Sequence, residues 1–179
     1  MTAEKSAEKR DFRAERIKYR RDIRDFVRAD LGFLGTQKLF DAGCGTGLVS
    51  REIKKRYGGV KVVGLDCSRK DIGEAKRKAR RARLAISYHV GDLQRIPFKD
   101  GTFDVVVGTI VLHHLSPEGK AKALGEFHRI MREGGNLVIL EGRSLSRGLA
   151  KLISDAGFSR ISKNPAGEIR FVYSAVKKG

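Results

Sequence analysis

The chain contains no tryptophan, three prolines and only two cysteines, Cys44 and Cys67. Two cysteines make no disulfide framework and are too few for a zinc cluster, so stability must come from an ordinary hydrophobic core. This sparing cysteine use fits a reducing interior, and the cytoplasm is the expected location. Long apolar runs are also missing, and none approaches the length that crosses a bilayer. The opening Met1-Thr2-Ala3-Glu4-Lys5 lacks the apolar stretch of a secretory signal. A soluble protein, or one attached at most to a surface, is expected. Acidic residues are the scarcer charge, with 21 Asp+Glu against 38 Lys+Arg and a formal net charge of +17. Such an excess favours anionic partners, namely RNA, an anionic membrane surface or phosphorylated metabolites. The competing explanation is solubility or heat resistance from abundant Lys and Glu. The cations are spread along the chain and not gathered in one tail.

With 179 residues, 40% of them hydrophobic, the chain has the size and composition of one domain with its own core. Residues 1–11 read as a disordered basic tail and 12–179 as the domain. Phe12, Tyr19, Ile23, Phe26, Val27 and Leu31 fall near helical spacing with Arg and Lys between them, which predicts a basic amphipathic helix over 12–31. Beyond it, strands and helices alternate. Lys38–Asp41 is a short strand. Leu48–Tyr57 is a helix with Val49, Ile53 and Tyr57 on one face, stopped by Gly58-Gly59. Val60–Asp66 is a strand, and Lys70–Arg83 a helix with Ile72, Ala75, Ala79 and Ala82 inward and its many cations outward. Ile86–Val90 is a strand, and Phe103–Gly108 an almost continuous apolar one, as in the centre of a parallel sheet. Pro117–Met131 is a helix, Gly134-Gly135 turns into the strand Asn136–Glu141, and Leu145–Ala156 is a helix capped by Gly157. Two weaker strands are expected near Ser159–Ser162 and Ile169–Lys177.

This alternation predicts an α/β fold with a doubly wound, mostly parallel sheet. Ligands of such sheets bind outside the carboxyl ends of the strands. Five successive strands end at Asp41, Asp66, Asp92, Thr109 and Glu141, and these should line one crevice.

The first of these ends opens into Gly43-Cys44-Gly45-Thr46-Gly47. Three alternating glycines let the backbone turn tightly and approach a ligand with no side chain between. The helix that follows offers free N–H groups at its start, which suit a carboxylate or phosphate. A dinucleotide fingerprint wants Gly or Ala three residues after the second glycine, and Leu48 stands there. No Gly-Lys-Ser/Thr follows, so this is not a Walker loop either. Asp66, 25 residues after Asp41, is placed to accept hydrogen bonds from both hydroxyls of a ribose. Asp92 is placed to receive an adenine amino group. Together the three ends describe an adenosine with a charged tail.

Asp41–Leu48, Val63–Ser68, Gly91-Asp92-Leu93, Ile96–Asp104 and Val111-Leu112-His113-His114-Leu115 resemble the class I, Rossmann-like methyltransferases that use S-adenosylmethionine. Within that class they are similar to the ubiquinone/menaquinone C-methyltransferase branch. The resemblance covers residues 38–158, and the ordered set of motifs carries it more than any single one. It implies a minimal seven-stranded sheet of order 3-2-1-4-5-7-6 with strand 7 antiparallel, plus an N-terminal helix. It also implies where the cofactor sits. Asp41, Gly43, Cys44, Gly45, Thr46 and Gly47 correspond to the holders of the methionine part. Asp66 corresponds to the ribose acid, with Cys67 and Ser68 beside the adenine. Gly91, Asp92 and Leu93 contact the adenine, and Gly108-Thr109 passes under the transferable methyl. The product is S-adenosylhomocysteine, and no metal is implied.

The implied reaction is in-line displacement at the sulfonium methyl, with His113, His114, Glu141 and Tyr19 as rim candidates for a base. Such a base serves only if the acceptor must lose a proton. Adjacent histidines should point apart, which argues against a shared metal. His89 in a strand and His128 on a helix read as structural. Strand four runs into Gly108-Thr109-Ile110-Val111, without the Asn/Asp-Pro-Pro-aromatic sequence of enzymes that methylate exocyclic amines. Only Gly142–Ser144 separate strand five from the next predicted helix, so the helix over 12–31 is the sole candidate lid. A small or amphiphilic acceptor is the leading expectation. The alternatives are an RNA- or ribosome-directed methyltransferase, and a non-catalytic cofactor-binding or membrane-surface adaptor protein.

Overall fold

The computed structural model of the chain describes residues 21, 23, 25–27, 36–142, 145, 148–166 and 170–178. Seven strands form one sheet: β1 (Lys38–Ala42), β2 (Lys61–Asp66), β3 (Ile86–Val90), β4 (Phe103–Thr109), β5 (Met131–Gly142), β6 (Phe158–Ala166) and β7 (Arg170–Lys177). Their order is β3-β2-β1-β4-β5-β7-β6. β7 alone is antiparallel, pairing β5 on one side and β6 on the other. The expected topology is therefore present. The helices are α1 (Leu48–Arg56), α2 (Arg69–Arg81), α3 (Pro117–Ile130) and α4 (Leu149–Asp155).

Alternation along the strands divides the core between two faces. Phe40, Ala42, Leu65, Val106, Leu137 and Ile139 face α3 and α4, whose Ala123, Leu124, Phe127, Leu149 and Ile153 are buried with them. Leu39, Val62, Val105, Val107, Val138 and Leu140 face the other way, against Val49 and Ile53 of α1. Ile23, Phe26 and Val27, all helical and buried, pack in this second layer. This part of the predicted N-terminal helix thus covers the sheet. α2 lies on the same side, since its Ile72, Ala75 and Ala79 meet Tyr88, which pairs in register with Gly64.

Local chemistry sets the helix starts. The Ser68 hydroxyl accepts from the Asp71 N–H at 3.2 Å, and that of Ser116 from the Gly119 N–H at 3.0 Å with Pro117 next in line. Gly148, at φ 85°, precedes α4 in the left-handed region that glycine enters freely.

Several boundaries differ from expectation. α2 stops at Arg81, and Ala82 is its exposed C-cap, not an inward residue. α3 ends at Ile130 because Met131 already pairs with Phe103. The Gly134-Gly135 turn is consequently an irregularity inside a twelve-residue β5. α4 begins at Leu149, four residues later than expected, so seven residues (142–148) and not three lie between Glu141 and the helix. β6 extends to Ala166 because β7 supplies a full antiparallel partner, a long-range pairing that local sequence does not announce. No helix among the described residues is long and apolar enough to cross a membrane.

Candidate active site

Gly43, Gly45 and Gly47 all adopt positive φ, at 65°, 49° and 73°. The loop is therefore a run of left-handed turns that only glycine adopts without strain. Two of the three glycines are also enforced by packing. A Cβ on Gly43 would overlap the Val111 side chain after β4, and one on Gly47 would overlap the Tyr88 hydroxyl. At Gly45 no described residue lies within 4 Å of a Cβ, so among the described residues the middle of the loop is bare.

Asp41 is fully buried and does not line the crevice as an exposed acid. Its Oδ2 accepts from the Ser50 backbone N–H at 3.0 Å and the Ser50 hydroxyl at 2.5 Å, tying β1 to the first turn of α1. Its Oδ1 is buried with no hydrogen-bond partner among the described residues. Burial pushes the Asp41 carboxyl up to about 7, against the lowering effect of the two Ser50 hydrogen bonds. A buried, unsatisfied carboxyl oxygen two residues before the glycine loop fits a cationic group as its partner, such as the ammonium of a methionine moiety.

Asp66 sits at the end of β2 as expected, with both oxygens engaged. Oδ2 accepts from the Gly45 N–H at 2.8 Å and Oδ1 from the Ser68 N–H at 2.8 Å. The carboxylate fixes the glycine loop, and its remaining lone pairs can still receive ribose hydroxyls. Cys44 is buried against Gly64, and burial raises its thiol; Cys67 is exposed. Asp92 is exposed and accepts from the Gln94 N–H at 2.9 Å, while the Leu93 side chain belongs to the core. Gly91 and Gly108 lie where a Cβ would crowd Leu65 and Ile139, and Thr109 is buried.

The fifth strand end is different in kind. Glu141 is 1% exposed, and its Oε1 accepts from the N–H groups of Val111 (2.8 Å) and Leu112 (2.7 Å). Its Oε2 lies 3.3 Å from His113 Nδ1. His113 and His114 belong to a single 3-10 turn, Leu112–His114. Their rings do not point apart as expected: the centroids are 3.8 Å apart, because the tight turn carries both to the same side. Ile110, immediately before, holds φ 52°, an outlier for a β-branched residue. Tyr19 lies outside the described residues. His89 stands edge-on to Phe98 and His128 edge-on to Phe158, with burial lowering His128.

Some participants escaped the motif reading. Ser50 clamps Asp41, and Arg51 donates to the Thr46 carbonyl at 2.6 Å. Arg129 donates to the carbonyls of Ile96 (2.9 Å) and Phe98 (2.8 Å), and Glu126 accepts from the Ile96 N–H at 2.6 Å. These two residues lock the Ile96–Asp100 loop onto α3. Their only sequence signal is helical spacing three residues apart, which any surface ion pair shares.

The model of a methyltransferase domain family matches residues 39–135. The demethylmenaquinone methyltransferase of Thermus thermophilus is 34% identical over 125 residues, 70% of this chain and 56% of that protein. A ubiquinone/menaquinone biosynthesis C-methyltransferase of a Geobacter species is 34% identical over 121 residues, 66% of this chain and 51% of that protein. The chain thus spans about half the length of the curated relatives it matches. Among solved structures, an S-adenosylmethionine-dependent methyltransferase of Methanosarcina mazei superposes with a TM-score of 0.71 at 20% identity, covering 82% of this chain and 94% of that one. The [4+2]-cyclase SpnF reaches a TM-score of 0.79 at 17% identity, covering 87% and 79%. These two likenesses establish a shared fold.

Proposed function

The chain belongs to the methyltransferase domain family, with the class I sheet, and from that premise we propose that it moves a methyl group from S-adenosylmethionine to a small amphiphilic acceptor of the quinol type. The observation that carries this reading is the pair formed by the glycine loop, bare at Gly45 and tied to Asp66, and the unpartnered Oδ1 of Asp41 two residues before it. The cofactor supplies an electrophilic methyl on a sulfonium that is already a good leaving group. The chain's task is to bind, orient and exclude water, and alignment alone contributes on the order of 7–11 kcal/mol.

In this reading Asp41 and the backbone of Gly43–Gly47 receive the ammonium and carboxylate of the methionine part. Asp66 takes the ribose hydroxyls, with Cys67 and Ser68 alongside. Gly91, Asp92 and Leu93 border the adenine, and Gly108-Thr109 underlies the methyl. The acceptor class follows the names of the 34% identical relatives, a demethylmenaquinone methyltransferase and a ubiquinone/menaquinone biosynthesis C-methyltransferase.

Titration calorimetry with S-adenosylmethionine and S-adenosylhomocysteine tests the cofactor half. Binding of both is expected, with Asp66→Ala weakening each at least tenfold. Labelled methyl transfer to a short-chain demethylmenaquinol tests the acceptor half. Heat from NAD or ATP, with none from the adenosyl compounds, would remove the reading.

A further inference from the structure

Glu141 is a costly residue to bury, and its three contacts account for its place. Two are backbone N–H groups, of Val111 and Leu112, held at 2.8 and 2.7 Å by one oxygen. They follow directly on Ile110, whose backbone is held in the left-handed region at φ 52°. The Ile110 N–H itself donates to the Leu140 carbonyl at 2.8 Å. The turn after β4 is therefore forced into one shape, and in that shape Val111 abuts Gly43 of the glycine loop. The same turn brings the imidazole of His113 to the second Glu141 oxygen at 3.3 Å. The tilted ring of His114 lies against that of His113, whose side chain is 36% exposed.

We infer that Glu141 is a positioning residue that fixes the tautomer of His113, leaving His113 Nε2 as the proton acceptor for the methyl acceptor. The inference rests on the methyltransferase reading above. A carboxylate oxygen can only accept, so it holds the ring proton on Nδ1 and leaves the Nε2 lone pair bare. Nε2 takes the proton of an acceptor O–H or C–H. The electron pair left behind forms the new bond to the methyl carbon, whose bond to sulfur breaks with both electrons passing to sulfur. The proton on Nε2 then leaves to solvent, and charge and atoms balance. Glu141 touches neither partner of the transfer and acts through the imidazole.

The decisive variant is Glu141→Gln. Its amide oxygen can take over the two backbone N–H groups, so the turn keeps its brace. Its NH2 then faces His113 Nδ1 as a donor, which reverses the tautomer and puts the ring proton on Nε2. Nitrogen-15 multiple-bond NMR of the ligand-free protein should show Nδ1–H for His113 in the wild type and Nε2–H in E141Q. With short-chain demethylmenaquinol, kcat of E141Q should fall about 100-fold, while KM and S-adenosylmethionine affinity stay within twofold. His113→Gln, a change at an exposed side chain, should lose the same factor, and the double variant no more. A wild-type His113 protonated on Nε2, or a His113→Gln enzyme of normal kcat, overturns the inference. Failure of the wild type to bind S-adenosylmethionine would instead strike the reading beneath it, and the ligand-free spectra decide the Glu141–His113 link without it.

Discussion

At the scale of single residues, Asp41 couples burial to protonation. Its carboxyl stands near 7 in the folded chain against 3.8 when free. A folded pKa above the unfolded one means that the native state holds the proton longer. The associated stability is complete below about pH 4 and is lost as pH rises to about 7 and beyond. Three units correspond to about 4 kcal/mol at most. Urea unfolding at pH 4.5 and 7.5 should show this decline in the wild type, with the slope largely removed in Asp41→Asn. If an ammonium docks on Oδ1, cofactor binding near pH 6 should release protons, seen as a buffer-dependent heat in calorimetry. At Gly43 the argument is steric: Gly43→Ala must carry positive φ and also displace Val111. A loss of about 2–4 kcal/mol in unfolding free energy is expected from strain and overpacking together.

At the scale of elements, the site is assembled by clamps between neighbours in space that are distant in sequence. Asp66 holds the glycine loop, Glu141 holds the turn after β4, and Arg129 with Glu126 holds the loop before β4. Removing a clamp should loosen one element and leave the sheet intact. Arg129→Ala is expected to cost about 2 kcal/mol. Hydrogen exchange should quicken at Ile96, Phe98 and Gly101 while β1 and β4 keep their protection. Uniform loss of protection across the sheet would show that the clamp is instead part of the global fold.

At the scale of the molecule, folding sorts a charge that looks evenly distributed along the chain. α1 and α2, on one side of the sheet, carry eleven cationic side chains against three acidic ones. α3 and α4, on the other side, carry four against three. The cations of α2 cluster toward its C-terminal end, at Lys76, Arg77, Lys78, Arg80 and Arg81, about 15 Å along the helix from the crevice. Near an anionic surface each such cation contributes about 1 kcal/mol. Arg77, Arg80 and Arg81 changed together to glutamate should markedly lower the salt at which the protein leaves a cation exchanger. Lys120 and Lys122 changed likewise should have a much smaller effect. Both proteins should bind S-adenosylmethionine as the wild type does.

The sequence alone determined the alternation of strands and helices, the inward faces of α1 and α2 apart from Ala82, and the glycine loop with its acidic neighbours. These are local signals: periodicity, bare turns and strand ends follow from a few adjacent residues. Resemblance supplied the strand order, which the sheet then displayed. What only the tertiary structure decided were the states of those residues. Asp41 is sealed, Glu141 serves as a brace, the two imidazoles lie together, and most of the cations on α1–α4 share one side of the sheet. Burial, hydrogen-bond partners and surface charge arise from segments brought together across the fold, and no window of neighbouring residues contains them.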